Sequence, residues 1–167
     1  MADEEILKSI IGKPTGSTRV VVERGPVTTF AKAVKEDSPV YRTPDAAAAA
    51  GFSAIPAPPT FPFVMEHFGA FPELQPEGAA TGGNPVMTAI RPLLEKGGLI
   101  LHGEQAFTYH RPVLVGDVLL GEGMIVDAYQ KESKGKTMTF VVSETVWKDD
   151  RTGEPVVTSR MNLIHRG

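Results

Sequence analysis

The spacing of hydrophobic positions changes along the chain, from helical in the first part to alternating in the second. Residues 3–11 read as a short amphipathic helix stopped by Gly12 and Pro14, and the β-branched run at 17–23 reads as a strand. Gly25-Pro26 opens a second helix, in which Val27, Phe30, Ala31 and Val34 share one face. Pro39 ends that stretch and biases Ser38 to an extended conformation. Pro44-Asp45 starts a brief alanine helix closed by Gly51. After the proline-rich residues 56–59, Thr60 is an expected N-cap and Pro62 an early helical position. Phe61, Val64, Met65 and Phe68 then line one face up to Gly69, which predicts a central helix.

From residue 99 the pattern becomes stranded. Segments 99–109, 118–129, 136–147 and 155–165 are separated by turn clusters and predict an antiparallel meander. In the third, Met138, Phe140, Val142 and Val146 alternate with Thr137, Thr139, Ser143 and Thr145, so the first set is expected to pack and the second to stay wetter. Helices followed by long hairpin strands give an α+β plan. Residues 70–98 are rich in Gly, Pro and Ala, with helical spacing only at 86–94. A connection this long is expected to serve as a flap or a mobile loop.

Composition narrows the function. The 167 residues suit one domain, 1–167. A net charge of −3 offers no basic footprint for nucleic acid or an anionic membrane. With no cysteine there are no disulfides, thiolate nucleophiles or cysteine zinc sites, in keeping with a reducing compartment. The acidic start of the chain is unlike a signal peptide, and no apolar run approaches membrane-spanning length, so a cytoplasmic location is expected. The four histidines show no ligand spacing, so no metal is expected, and Gly82-Gly83 and Gly97-Gly98 belong to no phosphate-loop pattern.

The segment Lys35-Glu36-Asp37-Ser38-Pro39-Val40-Tyr41 resembles the Gly-Asp-x-Asn-Pro-aliphatic-His loop of MaoC-type R-specific hydratases. Supporting pieces follow in order: His102-Gly103-Glu104-Gln105, Tyr109-His110-Arg111-Pro112, Gly116-Asp117-Val118-Leu119 and Gly153-Glu154-Pro155-Val156. The whole chain is similar to N-terminal-type MaoC dehydratase domains, and in particular to the non-catalytic-type subunits of (3R)-hydroxyacyl-carrier-protein dehydratases. The resemblance implies a hot-dog fold, an antiparallel sheet wrapped around a central helix. It also implies dimers with one continuous sheet, acyl-ACP or acyl-CoA thioesters as substrates in fatty-acid or related lipid metabolism, and no cofactor.

Aligned on Pro39, the family's aspartate falls on Glu36 and its histidine on Tyr41. Dehydration of a 3-hydroxyacyl thioester needs a base for the C2 proton, an acid for the departing hydroxyl and donors for the thioester oxygen. A tyrosine with an ordinary pKa of about 10 is a poor base at neutral pH. The His-Gly donor element of active relatives is here Pro58-Pro59, and proline has no N–H to offer. The leading expectation is therefore a dehydratase subunit that forms the acyl tunnel with Thr60, Phe61, Val64 and Met65, while a partner subunit supplies the aspartate and histidine. Alternatives are a self-sufficient homodimer using Glu36 or Asp37 with His102, a thioesterase, and a non-enzymatic acyl-thioester binding module. The blander readings stand beside these. Glu36 and Asp37 are ordinary acids at a helix end, and Tyr41 is a packing aromatic whose hydroxyl finds a backbone partner. His102 is then a structural histidine on a central strand, His67 a half-exposed one on the central helix, and His110 and His165 solvated at strand ends.

Overall fold

The computed structural model describes residues 2–77, 90–95, 97–133 and 135–166. Five α-helices are described, α1 Ala2–Ile10, α2 Arg24–Ala33, α3 Pro44–Ala49, α4 Met65–Gly69 and α5 Arg91–Leu94. The strands are β1 Pro14–Val21, β2 Leu99–Tyr109, β3 Val118–Ser133, β4 Lys136–Asp149 and β5 Pro155–Arg166. They form one antiparallel sheet in the order β1-β3-β4-β5-β2. Most of the expected connection at 70–98 lies outside the described residues.

Two apolar clusters hold helices to one face of this sheet. In the larger, Val27, Ala47, Phe61 and Met65 meet Val20, Leu119, Trp147, Val156 and Val157. In the smaller, Leu7 and Ile10 of α1 and Leu93 of α5 meet Ile125, Val141 and Leu163. Each element alone is too short to be stable in water, so this burial is what holds the helices.

Three expectations need correction. First, only β3, β4 and β5 form a meander. Strand β2 lies beyond β5 at the sheet edge, so residues 110–117 must cross the ends of β5 and β4 to reach β3. Second, the expected central helix is a 3₁₀ turn, Phe61–Phe63, followed by the five-residue α4. Thr60 occupies its cap position without a side-chain bond. The segment still sits against β1, because Gly69 brings its backbone onto Val21, where a Cβ would run into the Val21 carbonyl oxygen. Third, β4 does not divide into faces as expected: Val142 is buried and Thr137 exposed, as expected, but Met138, Phe140 and Val146 are only half-buried. Thr139, Val141, Ser143 and Trp147 are buried beneath the helices, whereas Phe140 turns to the opposite face and stacks on Tyr129 at 4.9 Å. The buried Thr139 hydroxyl is satisfied by Gln130, whose amide donates to it at 3.1 Å, so a polar residue is tolerated inside.

The two edges of the sheet differ. The outer edge of β1 is covered: the Gln75 side-chain amide accepts from Arg19 N–H and donates to Arg19 C=O, both at 2.9 Å, as a neighbouring strand would. Among the described residues strand β2 pairs on one side only, with β5, and it carries the exposed Leu99, Leu101 and Tyr109. A long uncovered edge of this kind is a template for pairing with another chain.

Candidate functional site

The motif segment forms the end of α2. Its last turn closes with Glu36 N–H donating to Ala31 C=O at 2.8 Å and Lys35 N–H donating to Lys32 C=O at 3.1 Å, while Lys35 takes a left-handed φ of 58°. The family's glycine aligns with Lys35, a position whose backbone suits glycine. Lys35→Gly should therefore raise the unfolding free energy by about 1 kcal/mol, the strain of one left-handed non-glycine residue, read as a higher denaturant midpoint at unchanged slope.

The Glu36 carboxylate turns back into its own loop and accepts from Ser38 N–H at 2.8 Å. Arg42 ties the same loop together, donating to Glu36 C=O at 2.7 Å and to the Asp37 carboxylate at 2.8 Å. Ser38 is extended ahead of Pro39, as expected, and Pro39–Tyr41 form a 3₁₀ turn.

Tyr41 opens onto a cavity of about 410 Å³ lined also by Phe52, Pro56, Ala57, Pro59, Tyr109, His110, Arg111, Pro112 and Val113. The crossing from β2 to β3 builds one wall. It is fixed to the sheet by His110 N–H and Arg111 N–H, both donating to Val156 C=O, and by Arg111, which reaches Asp117 at 2.7 Å and Asp149 at 3.0 Å. The proline loop builds the other wall and is laced to the crossing by Ala57 N–H to Val113 C=O and Val115 N–H to Ile55 C=O, each 2.8 Å. Tyr109 closes the end, its hydroxyl donating to Pro59 C=O at 2.7 Å. Burial, and then the neighbouring Tyr41 phenol, push Tyr109 up to about 12, so it stays neutral.

The sequence-derived residues are only partly brought together. Tyr41 lines the cavity, but its hydroxyl, expected to find a backbone partner, has none among the described residues. Phe61 and Met65 are each 1% exposed in the core, and neither they nor Thr60 and Val64 line this cavity. His102 is exposed on β2 with its ring edge-on to Phe63 at 5.2 Å. It stands roughly 20 Å or more along the strand from Tyr109, so it does not reach Tyr41 within one chain. His165, expected to be solvated, is 7% exposed and bonded to Gly97 C=O at 2.6 Å. His67 is exposed, and His110 contacts the Thr158 hydroxyl at 3.2 Å. No group of acids and histidines that could hold a metal occurs among the described residues, and no described helix is long and apolar enough to cross a membrane.

The sequence reading missed Phe52, Pro56, Ala57, Tyr109 and Val113 as wall residues. The one local signal was the density of prolines at 56–59, which prevents helix formation and leaves the segment free to line a cleft.

Comparisons agree with this architecture. A chain of the ChsH1-ChsH2 complex from Mycobacterium tuberculosis superposes with a TM-score of 0.76 at 22% identity, covering 98% of this chain and 91% of that one. A chain of the HadBC (3R-hydroxyacyl-ACP dehydratase) complex from the same organism gives 0.67 at 24% identity, covering 93% and 96%. At these identities the likeness establishes the hot-dog fold. In sequence, the UPF0336 protein of Thermobifida fusca is 33% identical over 147 residues, 87% of this chain and 84% of its own. A UPF0336 protein of Mycobacterium tuberculosis is 30% identical over 165 residues, 98% and 88%. The family model described as FAS1-like, dehydratase domain region, matches residues 9–159, and the chain belongs to that dehydratase-domain family.

Proposed function

We propose that this chain is a subunit of an R-specific 3-hydroxyacyl-thioester dehydratase, forming the acyl-binding cavity while a partner subunit supplies the catalytic aspartate and histidine. The observation that carries the reading is the state of the motif turn. Pro39 stands where the motif has its proline, yet the side chain in the histidine position is the phenol of Tyr41, and the Glu36 carboxylate is turned onto Ser38 N–H. Such a wall can bind an acyl group, but the motif's histidine position holds a phenol, a poor base at neutral pH, and the histidine that does line the cavity, His110, has Nε2 on the Thr158 hydroxyl at 3.2 Å.

The sheet edges support a paired assembly. On β1, Gln75 occupies the edge at Arg19, whereas β2 has no second strand partner among the described residues. Two of the similar solved structures are complexes of two named subunits, ChsH1-ChsH2 and HadBC. A self-sufficient homodimer using Glu36 or Asp37 with His102 is the second reading; against it, Glu36 is bound to Ser38 N–H and Asp37 to Arg42.

The test is hydration and dehydration turnover with 2-enoyl and 3-hydroxyacyl thioesters, measured on the purified chain and after co-expression with a MaoC-like subunit carrying an intact motif. The chain alone should be slower than the complex by at least about a hundredfold, the usual worth of a general base. Light scattering should show the co-expressed chains as one species. Equal turnover by the chain alone would refute the reading.

A further inference from the structure

We propose that Tyr41 is the polar recognition group of the cavity, a neutral donor that takes an uncharged acyl oxygen, so that the cavity admits thioesters and turns away the corresponding free acids. This rests on the acyl-binding reading above and adds to it the group recognised and the residue responsible.

Most donors around the wall are already committed. Pro56, Pro59 and Pro112 have no N–H. The N–H groups of Phe52, Ala57, His110 and Arg111 are already given to the carbonyls of Ala47, Val113, Val156 and Val156. The Tyr109 proton is given to Pro59 C=O. Tyr41's is the lining hydroxyl that remains without a partner among the described residues, alongside the Val113 N–H and the Arg111 Nε–H. The substitution that removes a base from the motif thus leaves a donor in its place, because a phenol at neutral pH keeps its proton.

Charge sets the selectivity. Arg111 is the cavity's permanent cation, but its guanidinium faces two carboxylates, with Nη1 donating to Asp117 Oδ2 at 2.7 Å and Nη2 to Asp117 Oδ1 at 3.2 Å and Asp149 Oδ2 at 3.0 Å. Asp149 is held ionised, its carboxyl lowered first by Thr152 N–H and also by Arg151 N–H and Arg111. The one permanent cation of the lining is thus outweighed by two carboxylates, and His110 is turned with Nε2 on the Thr158 hydroxyl, so the wall offers a carboxylate little attraction. A free acid entering the cavity would lose its hydration without a counter-charge in return. A thioester or an alcohol oxygen loses far less and gains the Tyr41 donor.

The experiment is titration calorimetry on the purified full-length chain with three probes of equal, medium chain length. These are a 3-hydroxyacyl N-acetylcysteamine thioester, the saturated acyl thioester, and the free 3-hydroxy acid. The wild type should bind the 3-hydroxyacyl thioester at least about tenfold more tightly than the acid. Tyr41→Phe should weaken the hydroxyacyl thioester by about fivefold, the worth of one hydrogen bond, at unchanged melting temperature, and leave the acid unaffected. Tyr129→Phe, on the opposite face of the sheet, should leave all three unchanged. If the saturated thioester shows the same dependence on Tyr41, the recognised oxygen is the thioester carbonyl; if only the hydroxyacyl probe does, it is the 3-hydroxyl. Thioester and acid binding equally, or Tyr41→Phe without effect, overturns the inference while leaving the acyl cavity standing. Failure of every probe to bind overturns the cavity reading with it.

Discussion

Phe61→Ala should remove about 3–5 kcal/mol of folding stability, a large share of the roughly 5–15 kcal/mol available to a domain. Phe61 is 1% exposed and meets Phe30 edge-on at 5.6 Å within the cluster that joins the helices to β1, β3, β4 and β5. Truncation would leave a cavity that this surrounded site cannot close, and would forfeit the aromatic pair as well. Phe63, two residues on and 49% exposed, provides the contrast: Phe63→Ala should cost under about 1 kcal/mol, as surface changes do. Denaturant titration of both variants checks the pair. Equal costs would mean that the 3₁₀ turn is not the anchor of the core described above.

In the proposed complex, Tyr41→Phe and Glu36→Gln should each lower turnover by less than about tenfold, some 1.4 kcal/mol on the barrier. Replacing the partner's motif histidine should lower it by about a hundredfold or more. The structural basis is that glutamine keeps the oxygen that accepts from Ser38 N–H, so the loop retains its shape, and that phenylalanine keeps the ring of the cavity wall. Steady-state kinetics should find the Tyr41→Phe loss mainly in KM, as expected for a group that binds acyl oxygen about equally in ground and transition states. A Glu36→Gln variant that silences turnover by the chain alone would instead make Glu36 the catalytic carboxylate of a self-sufficient enzyme.

The sequence by itself determined the elements whose cause is local. Pro39 could end the α2 region and extend Ser38 wherever the segment lay, and alternation from residue 99 could only build strands, so the α+β plan and the position of the motif turn were legible. The tertiary structure decided which side of each strand faces the core. A period of two in β4 names two sets of residues but not their side, and Thr139, Ser143 and Trp147 went inward with Val141 because the helices cover that face. It also placed β2 outside β5, since pairing partners distant in sequence leave no local trace. That placement exposed His102, buried His165 against Gly97, and sent residues 110–117 across the strand ends beside the proline loop. The cavity exists only because those two segments meet, and Tyr41 is left as its uncommitted hydroxyl because Tyr109 gives its proton to Pro59 while the N–H groups of Ala57, His110 and Arg111 go to carbonyls of Val113 and Val156, distant in sequence from the motif.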